Sequence, residues 1–127
     1  MENSKRLLEK SPDFDIILTA ESKGIPLAYE MSRQSGKVYI VARKSVNQTA
    51  SVSERAKEFY LDVDDTELIR DKRVLIVDDI VSTGESLKAL NALVEKSFGI
   101  TAAKVAVLAE NNIAKRDRII FLEQISV

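Results

Sequence analysis

The sequence predicts an α/β fold, with a mostly parallel twisted sheet and helices on both of its faces. Short apolar runs rich in branched residues alternate with segments whose apolar residues recur at helical spacing. The 127 residues, 45% hydrophobic and 31% charged, have the length and composition of one globular domain. We therefore expect a single domain over residues 1–127.

The first half of the chain predicts two helix–strand units. A short polar helix precedes Pro12, and residues 14–20 (FDIILTA) form a buried strand. Pro26 suits the first turn of a helix, where its missing N–H has no cost, and this helix runs to about Gln34. Residues 38–42 (VYIVA) form a second buried strand.

The second half contains four further strand predictions and one long polar connection. Residues 45–57 are rich in Ser, Thr, Asn, Gln and charge, which is typical of a functional loop. Residues 59–63 form a short returning strand, and residues 73–77 (RVLIV) are the clearest buried strand. Residues 100–108 and 118–122 complete the sheet.

One helix is predicted between the strands at 73–77 and 100–108. Residues 78–84 form the loop that leads into it, and Gly99 ends it. Its apolar stripe consists of four residues at helical spacing: Leu87, Leu90, Val94 and Phe98.

The composition excludes several classes of function. The chain has no cysteine and no histidine, which removes zinc-thiolate sites, iron–sulfur clusters, cysteine nucleophiles and Ser-His-Asp triads. Nineteen basic residues oppose twenty acidic ones, so bulk attraction to nucleic acid is not expected. We expect neither a signal peptide nor a membrane span, and therefore a cytoplasmic protein.

The segment that carries chemistry is residues 74–87, VLIVDDIVSTGESL. A strand ends in the adjacent carboxylates Asp78 and Asp79, and a hydroxyl-rich loop with Gly84 leads directly into a helix. The amides and dipole of a helix start attract an anion, and glycine lets a bound group approach the backbone. Carboxylates instead accept hydrogen bonds from ribose hydroxyls or stabilise a positively charged sugar. The pattern predicts a ribose 5-phosphate site.

Two other interpretations apply to the same residues. Thr83, Glu85 and Ser86 are also residues that cap a helix. An acidic pair after an apolar strand also occurs in receiver domains, where it holds magnesium. In that fold the pair ends the first strand, and the 48 residues that follow Asp79 here are too few for the rest.

Residues 78–86 (DDIVSTGES) resemble the phosphoribosyl-pyrophosphate signature of type I phosphoribosyltransferases. Residues 21–28 (ESKGIPLA) resemble the pyrophosphate loop of adenine phosphoribosyltransferases and of the related purine repressors. Residues 41–44 (VARK) are similar to the Arg-Lys element of that family, and residues 49–53 lie where it has a mobile catalytic loop. Residues 107–110 (VLAE) match the strand end beside the base.

The resemblance implies transfer of a phosphoribosyl group from phosphoribosyl pyrophosphate to a purine base, with adenine as the first candidate. It implies catalytic roles for Asp78, Asp79 and Glu54, with Glu54 as proton acceptor. It implies Mg²⁺, held by Asp78 and Asp79 mostly through the substrate. Three groups of binding residues follow from it. The 5-phosphate would contact Ser82, Thr83, Gly84, Glu85 and Ser86. The pyrophosphate would contact Glu21, Ser22, Lys23, Gly24, Arg43 and Lys44. The base would contact Ile80, Val81 and Glu110.

Some features depart from the family pattern. Adenine phosphoribosyltransferases carry an N-terminal hood over the purine, whereas only 13 residues precede Phe14 here, so we expect a reduced hood to which residues 118–127 contribute. Two alternatives stay open. One is a non-catalytic regulator that binds phosphoribosyl pyrophosphate or a nucleotide. The other is an enzyme for xanthine or another base. Relatives of this kind form homodimers, which we also expect here.

Overall fold

A computed structural model of the chain describes residues 2–21, 23–44 and 59–125. Within these residues the sheet has six strands, in the spatial order β3-β2-β1-β4-β5-β6. The strands are β1 (Ile16–Ala20), β2 (Val38–Lys44), β3 (Phe59–Tyr60), β4 (Arg73–Val81), β5 (Ile100–Ala109) and β6 (Ile119–Gln124). Among the strand pairs of these described residues, only that of β2 with β3 is antiparallel. The predicted α/β class with a mostly parallel sheet is confirmed.

Five helices in the described part of the chain cover the two faces of the sheet. They are α1 (Glu2–Lys10), α2 (Ile25–Ser35), α3 (Val63–Ile69), α4 (Glu85–Lys96) and α5 (Asn111–Asp117). No helix in the described ranges has the length and apolar character needed to cross a membrane.

Alternate residues of the central strands pack into two separate hydrophobic cores, one on each face of the sheet, because successive side chains of a strand point to opposite faces. Ile17 and Leu75 pack with α1 and α2 on one face. Leu18 and Ile76 pack on the other face, with buried residues of α3, α4 and α5. The predicted apolar runs are therefore strands that are buried on both sides, as parallel sheets require.

The sheet divides between β1 and β4 at the end where the candidate site lies. Thr19 and Val77 are the last residues that pair in the parallel register of these two strands. Beyond them, the amide of Glu21 donates to the carbonyl of Ala42 on β2, while β4 continues alongside β5. Since the chain turns to opposite sides from β1 and β4, this is the switch point at which open α/β sheets bind ligands.

Several boundaries differ from the sequence predictions. β4 extends through Val81, so the predicted loop at 78–84 begins as strand. The strand predicted at 59–63 stops at Tyr60, and Val63 begins α3. The sequence did not predict α3 or α5, each of which has only seven residues.

Two expectations about the ends of elements were wrong. Phe98 does not continue the buried stripe of α4, because the helix ends at Lys96 and Phe98 has a left-handed backbone with φ 61° and is 70% exposed. Residues 119–124 form the edge strand β6, so they pair with β5 and are not part of a hood.

Candidate active site

A crevice of about 350 Å³ opens at the switch point between β1 and β4. It is lined by residues from four separate stretches of the sequence, at 20–24, 44, 59 and 78–86. They are Ala20, Glu21, Lys23, Gly24, Lys44, Phe59, Asp78, Asp79, Ile80, Ser82 and Ser86. The predicted pyrophosphate loop, the Arg-Lys element, the acidic pair and the hydroxyl loop therefore meet at one place.

The acidic pair lies near the carboxyl end of β4, two residues before the strand ends at Val81, and both residues are half-buried. Asp78 Oδ1 accepts a hydrogen bond from the amide of Asp79 at 2.8 Å, which fixes the first carboxylate against the main chain. Asp78 also lines a smaller pocket formed by residues 80–87. One carboxylate thus borders both the wide crevice and the hydroxyl loop.

The hydroxyl-rich loop of residues 82–84, called the hydroxyl loop here, leads into α4, and the start of that helix borders the smaller pocket. Gly84 occupies the N-cap position with φ 84°, a left-handed conformation that suits glycine. Gly84 has no side chain that could cap the first amides, and Thr83 Oγ1 makes only a long contact of 3.4 Å with the amide of Glu85. A helix start of this kind binds anions through its amides and its dipole.

The helix α5, which the sequence did not predict, gives a second reason for glycine at position 84. A Cβ at Gly84 would lie 2.9 Å from Asp117 Oδ2 and 3.1 Å from a methyl group of Ile113. Arg116 Nη2 donates to the carbonyl of Thr83 at 3.4 Å. Hydrogen bonds from Arg116 also hold the pKa of the Asp117 carboxyl below its usual value. Because these residues are about 30 positions from the loop, no local signal could have found them.

The predicted pyrophosphate loop begins where β1 ends. Glu21, Lys23 and Gly24 all line the crevice, and Gly24 is the N-cap of α2. Position 24 has no room for a side chain, because a Cβ there would lie 2.1 Å from Thr19 Oγ1. Ser22 lies outside the described residues.

The two basic residues at the end of β2 are placed differently. Lys44 lines the crevice, whereas Arg43 does not. Arg43 pairs with Tyr60 on β3 and lies near α3. Burial, Asp62 and Asp64 together raise the pKa of Asp65 there, and the charge of Arg43 only partly opposes that rise. The structure therefore brings only Lys44 of this pair to the site.

The three residues predicted to contact the base lie in three different environments. Ile80 is 48% exposed and lines the crevice. Val81 is 2% exposed and belongs to the core under α4, so its side chain is not accessible to a base. The carboxylate of Glu110 caps α5, accepting from the amides of Asn112 at 3.1 Å and Ile113 at 2.8 Å.

The charges around the crevice are close to balance. Lys23 and Lys44 face three carboxylates, those of Glu21, Asp78 and Asp79. Over residues 2–21, 23–44 and 59–125, no group of three or more acidic side chains could hold a metal ion alone. Glu54 and the loop at 45–57 lie outside the described residues.

Comparison with known proteins gives consistent results. A family model described as a phosphoribosyl transferase domain matches residues 1–123. The adenine phosphoribosyltransferase of Chlorobium phaeovibrioides is 34% identical over 104 residues, which cover 78% of this chain and 59% of that protein. The adenine phosphoribosyltransferase of Ruminiclostridium cellulolyticum is 32% identical over 128 residues, covering 94% of this chain and 72% of that protein.

The fold also matches solved structures. A crystal structure of adenine phosphoribosyltransferase from Thermoanaerobacter pseudethanolicus superposes with a TM-score of 0.79 at 23% identity. The match covers 98% of this chain and 77% of that one. The chain thus spans about three quarters of the length of that structure and 59% of the Chlorobium relative.

Proposed function

Because the chain belongs to the phosphoribosyl transferase domain family, we propose that it transfers a phosphoribosyl group to a purine base. The donor is phosphoribosyl pyrophosphate, the first candidate for the base is adenine, and pyrophosphate is released. The observation that carries the proposal is the crevice itself, which joins a hydroxyl-rich helix start, two carboxylates and two lysines at the switch point.

In this reaction the bond from the anomeric carbon to pyrophosphate breaks, and a bond from that carbon to a nitrogen of the base forms. Positive charge develops on the sugar as the leaving group departs. Asp78 and Asp79 hold the ribose hydroxyls and stabilise that charge, because fixed carboxylates in a sheltered site act strongly on a developing cation. Ser82, Thr83, Gly84, Glu85 and Ser86 hold the 5-phosphate with hydroxyls and helix-start amides.

The pyrophosphate end is held by Lys23, Lys44 and the amides of residues 21–24, including Ser22, with Arg43 contributing at longer range. Two lysines against three carboxylates leave this crevice without a surplus of positive charge for a highly charged leaving group. Mg²⁺ fits this donor set, held by Asp78 and Asp79 together with substrate oxygens. Its chemistry there is to neutralise negative charge on the pyrophosphate.

The base contacts Ile80, whose exposed side chain borders the crevice. Val81 contributes through its main chain only, and Glu110 supports the base side by fixing the start of α5. We further propose that residues 45–57 close over the site and exclude water, with Glu54 as the proton acceptor.

A regulator that binds phosphoribosyl pyrophosphate without transfer is the second candidate. It is favoured by one observation. The phosphate and ribose side of the crevice has many donors and acceptors, whereas Ile80 alone among the three predicted base contacts lines the crevice. An enzyme for xanthine or another base remains within the first candidate.

The test is pyrophosphate release from phosphoribosyl pyrophosphate and Mg²⁺, measured with adenine, hypoxanthine, guanine, xanthine and uracil. Release with one purine supports the proposal and names the base. Tight binding of phosphoribosyl pyrophosphate without release for any base supports the regulator, and no binding contradicts both.

We also propose a cytoplasmic homodimer of single-domain chains without nucleic-acid or membrane partners. Sedimentation of the purified protein tests its oligomeric state.

A further inference from the structure

Thr19 is a polar residue with no exposed surface, at the last position where β1 pairs with β4. Its hydroxyl donates to the carbonyl of Val77 on β4 at 2.8 Å. The two residues are 58 positions apart in sequence and face each other across the junction where the sheet divides. The hydroxyl therefore joins the two strands at the floor of the crevice.

The same hydroxyl supports the start of α2. A Cβ at Gly24 would lie 2.1 Å from Thr19 Oγ1 and 3.5 Å from the carbonyl oxygen of Val77. The backbone of Gly24 therefore lies directly against the hydrogen bond. Three main-chain segments, those of β1, β4 and the turn into α2, meet around one oxygen atom.

This contact lies next to both halves of the site. Lys23 precedes Gly24, and Asp78 follows Val77, and both residues line the crevice. The bond that breaks in the proposed reaction joins the sugar held by the acidic pair to the pyrophosphate held by the loop. Catalysis depends on this spacing, because a displacement of about 1 Å in a reacting geometry costs up to about a hundredfold in rate.

We propose that Thr19 is a positioning residue, whose hydroxyl fixes the distance between the pyrophosphate loop and the acidic pair. The inference rests on the proposed function for the identity of the two ligand halves. Thr19 touches neither half of the substrate and acts through Val77 and Gly24.

The test compares Thr19→Val, which keeps the shape and removes the hydroxyl, with Thr19→Ser, which keeps the hydroxyl. Thr101→Val is the matched control: it removes a hydroxyl that donates to Asn91 Oδ1 at 2.6 Å, between β5 and α4. Calorimetry with Mg²⁺ measures the affinity of each protein for phosphoribosyl pyrophosphate, which spans both halves, and for ribose 5-phosphate, which occupies one. Thermal unfolding of each variant accompanies the binding data.

Thr19→Val is expected to bind phosphoribosyl pyrophosphate about tenfold more weakly, as loss of one buried hydrogen bond at the junction implies. Its affinity for ribose 5-phosphate should stay within about twofold, and its kcat should fall by about tenfold or more. Thr19→Ser and Thr101→Val should keep the wild-type ratio of the two affinities. A purely structural role would lower thermal stability in Thr19→Val and Thr101→Val alike without changing that ratio.

An unchanged affinity ratio in Thr19→Val, or an equal change in Thr19→Ser, overturns the inference. Binding and transfer measured on the wild-type protein distinguish a failure of this inference from a failure of the proposed function. If it binds phosphoribosyl pyrophosphate but transfers to no base, the enzyme proposal fails while the affinity ratio still decides the role of Thr19. If it binds no phosphoribosyl pyrophosphate, both are wrong.

Discussion

Asp15 and Arg73 form a two-pronged ion pair at the amino ends of β1 and β4. Arg73 Nη2 lies 3.0 Å from Asp15 Oδ1, and Arg73 Nε lies 3.1 Å from Oδ2. The main chains also pair there, with the Asp15 amide donating to the Arg73 carbonyl at 2.8 Å. Since Thr19 joins the same strands at their other end, the junction beneath the crevice is held at both ends.

This ion pair gives a stability that depends on pH. Hydrogen bonds from Arg73 hold the pKa of the Asp15 carboxyl well below its usual value of 3.8. A carboxyl with a lowered folded-state pKa stabilises the fold above its unfolded pKa, and this contribution disappears as pH falls through the folded value. Asp15→Asn should therefore lower Tm at pH 7, and the difference from wild type should shrink below about pH 4.

Thermal unfolding between pH 7 and pH 2 measures this difference. Glu67→Gln, at an exposed position of α3, serves as the control and should leave Tm nearly unchanged. A gap between Asp15→Asn and wild type that stays constant at all pH values would contradict the electrostatic explanation.

Gly84→Ala and Gly36→Ala separate backbone strain from crowding. Both glycines have left-handed φ, 84° and 75°, but a Cβ at Gly36 would meet nothing within 4 Å. Gly36→Ala should cost only the strain, about 1–2 kcal/mol of unfolding free energy. Gly84→Ala should cost about 1 kcal/mol more because Asp117 and Ile113 must move.

Gly84→Ala should also raise the KM for phosphoribosyl pyrophosphate, which Gly36→Ala should not. Urea unfolding and steady-state kinetics give the two quantities. Equal unfolding costs and equal KM values for both variants would show that α5 does not constrain the loop.

Lys44 and Arg43 are adjacent basic residues, and only Lys44 lines the crevice. Lys44→Met should raise the KM for phosphoribosyl pyrophosphate roughly tenfold to a hundredfold, as loss of a charged hydrogen-bond partner implies. Arg43→Met should change it by about twofold or less, since its charge acts from a distance. Kinetics at saturating base test the pair, and a larger effect from Arg43→Met would reverse the assignment.

Asp79→Asn should reduce kcat about 10²–10³-fold while leaving the fold intact, because it removes a charge from the developing cation and keeps the shape. Asp64→Asn, an exposed carboxylate of α3, is the control. Single-turnover rates and circular dichroism are the measurements. Wild-type turnover in Asp79→Asn would remove this residue from the mechanism.

Glu110→Ala should cost about 1 kcal/mol of unfolding free energy, because it removes the acceptor for two amides of α5. Glu110→Asp keeps a carboxylate at the cap and should recover most of that loss. We expect the KM for the base to change little in either variant. A base KM that rises in Glu110→Ala without loss of stability would support direct contact instead.

The central strands and the site loops could be predicted from local pattern. Ile17 and Leu75 belong to short apolar runs rich in branched residues, which are typical of a parallel strand covered on both faces, and Gly84 precedes a helical stripe. In both cases the physical cause lies within a few residues. The sequence therefore predicted the place of the crevice as well as the fold class.

The features that were missed depend on distant residues. α3 and α5 are too short for helical periodicity to be distinguished from a loop, and their positions follow from packing. Nothing near Val81 indicates that its side chain turns into the core while Ile80 stays exposed. The contact of Arg116 with Thr83, and the position of Asp117 beside Gly84, likewise arise only when β6 and α4 are in place.

The packing of α5 against the loop at Gly84 has a consequence for protein engineering. Transplanting residues 78–86 alone into another α/β scaffold would transfer the hydroxyls and carboxylates but leave Thr83 without the Arg116 donor and Gly84 without its backing. A functional graft would need the helix from Asn111–Asp117 as well, although 24 residues (87–110) separate the two pieces in sequence.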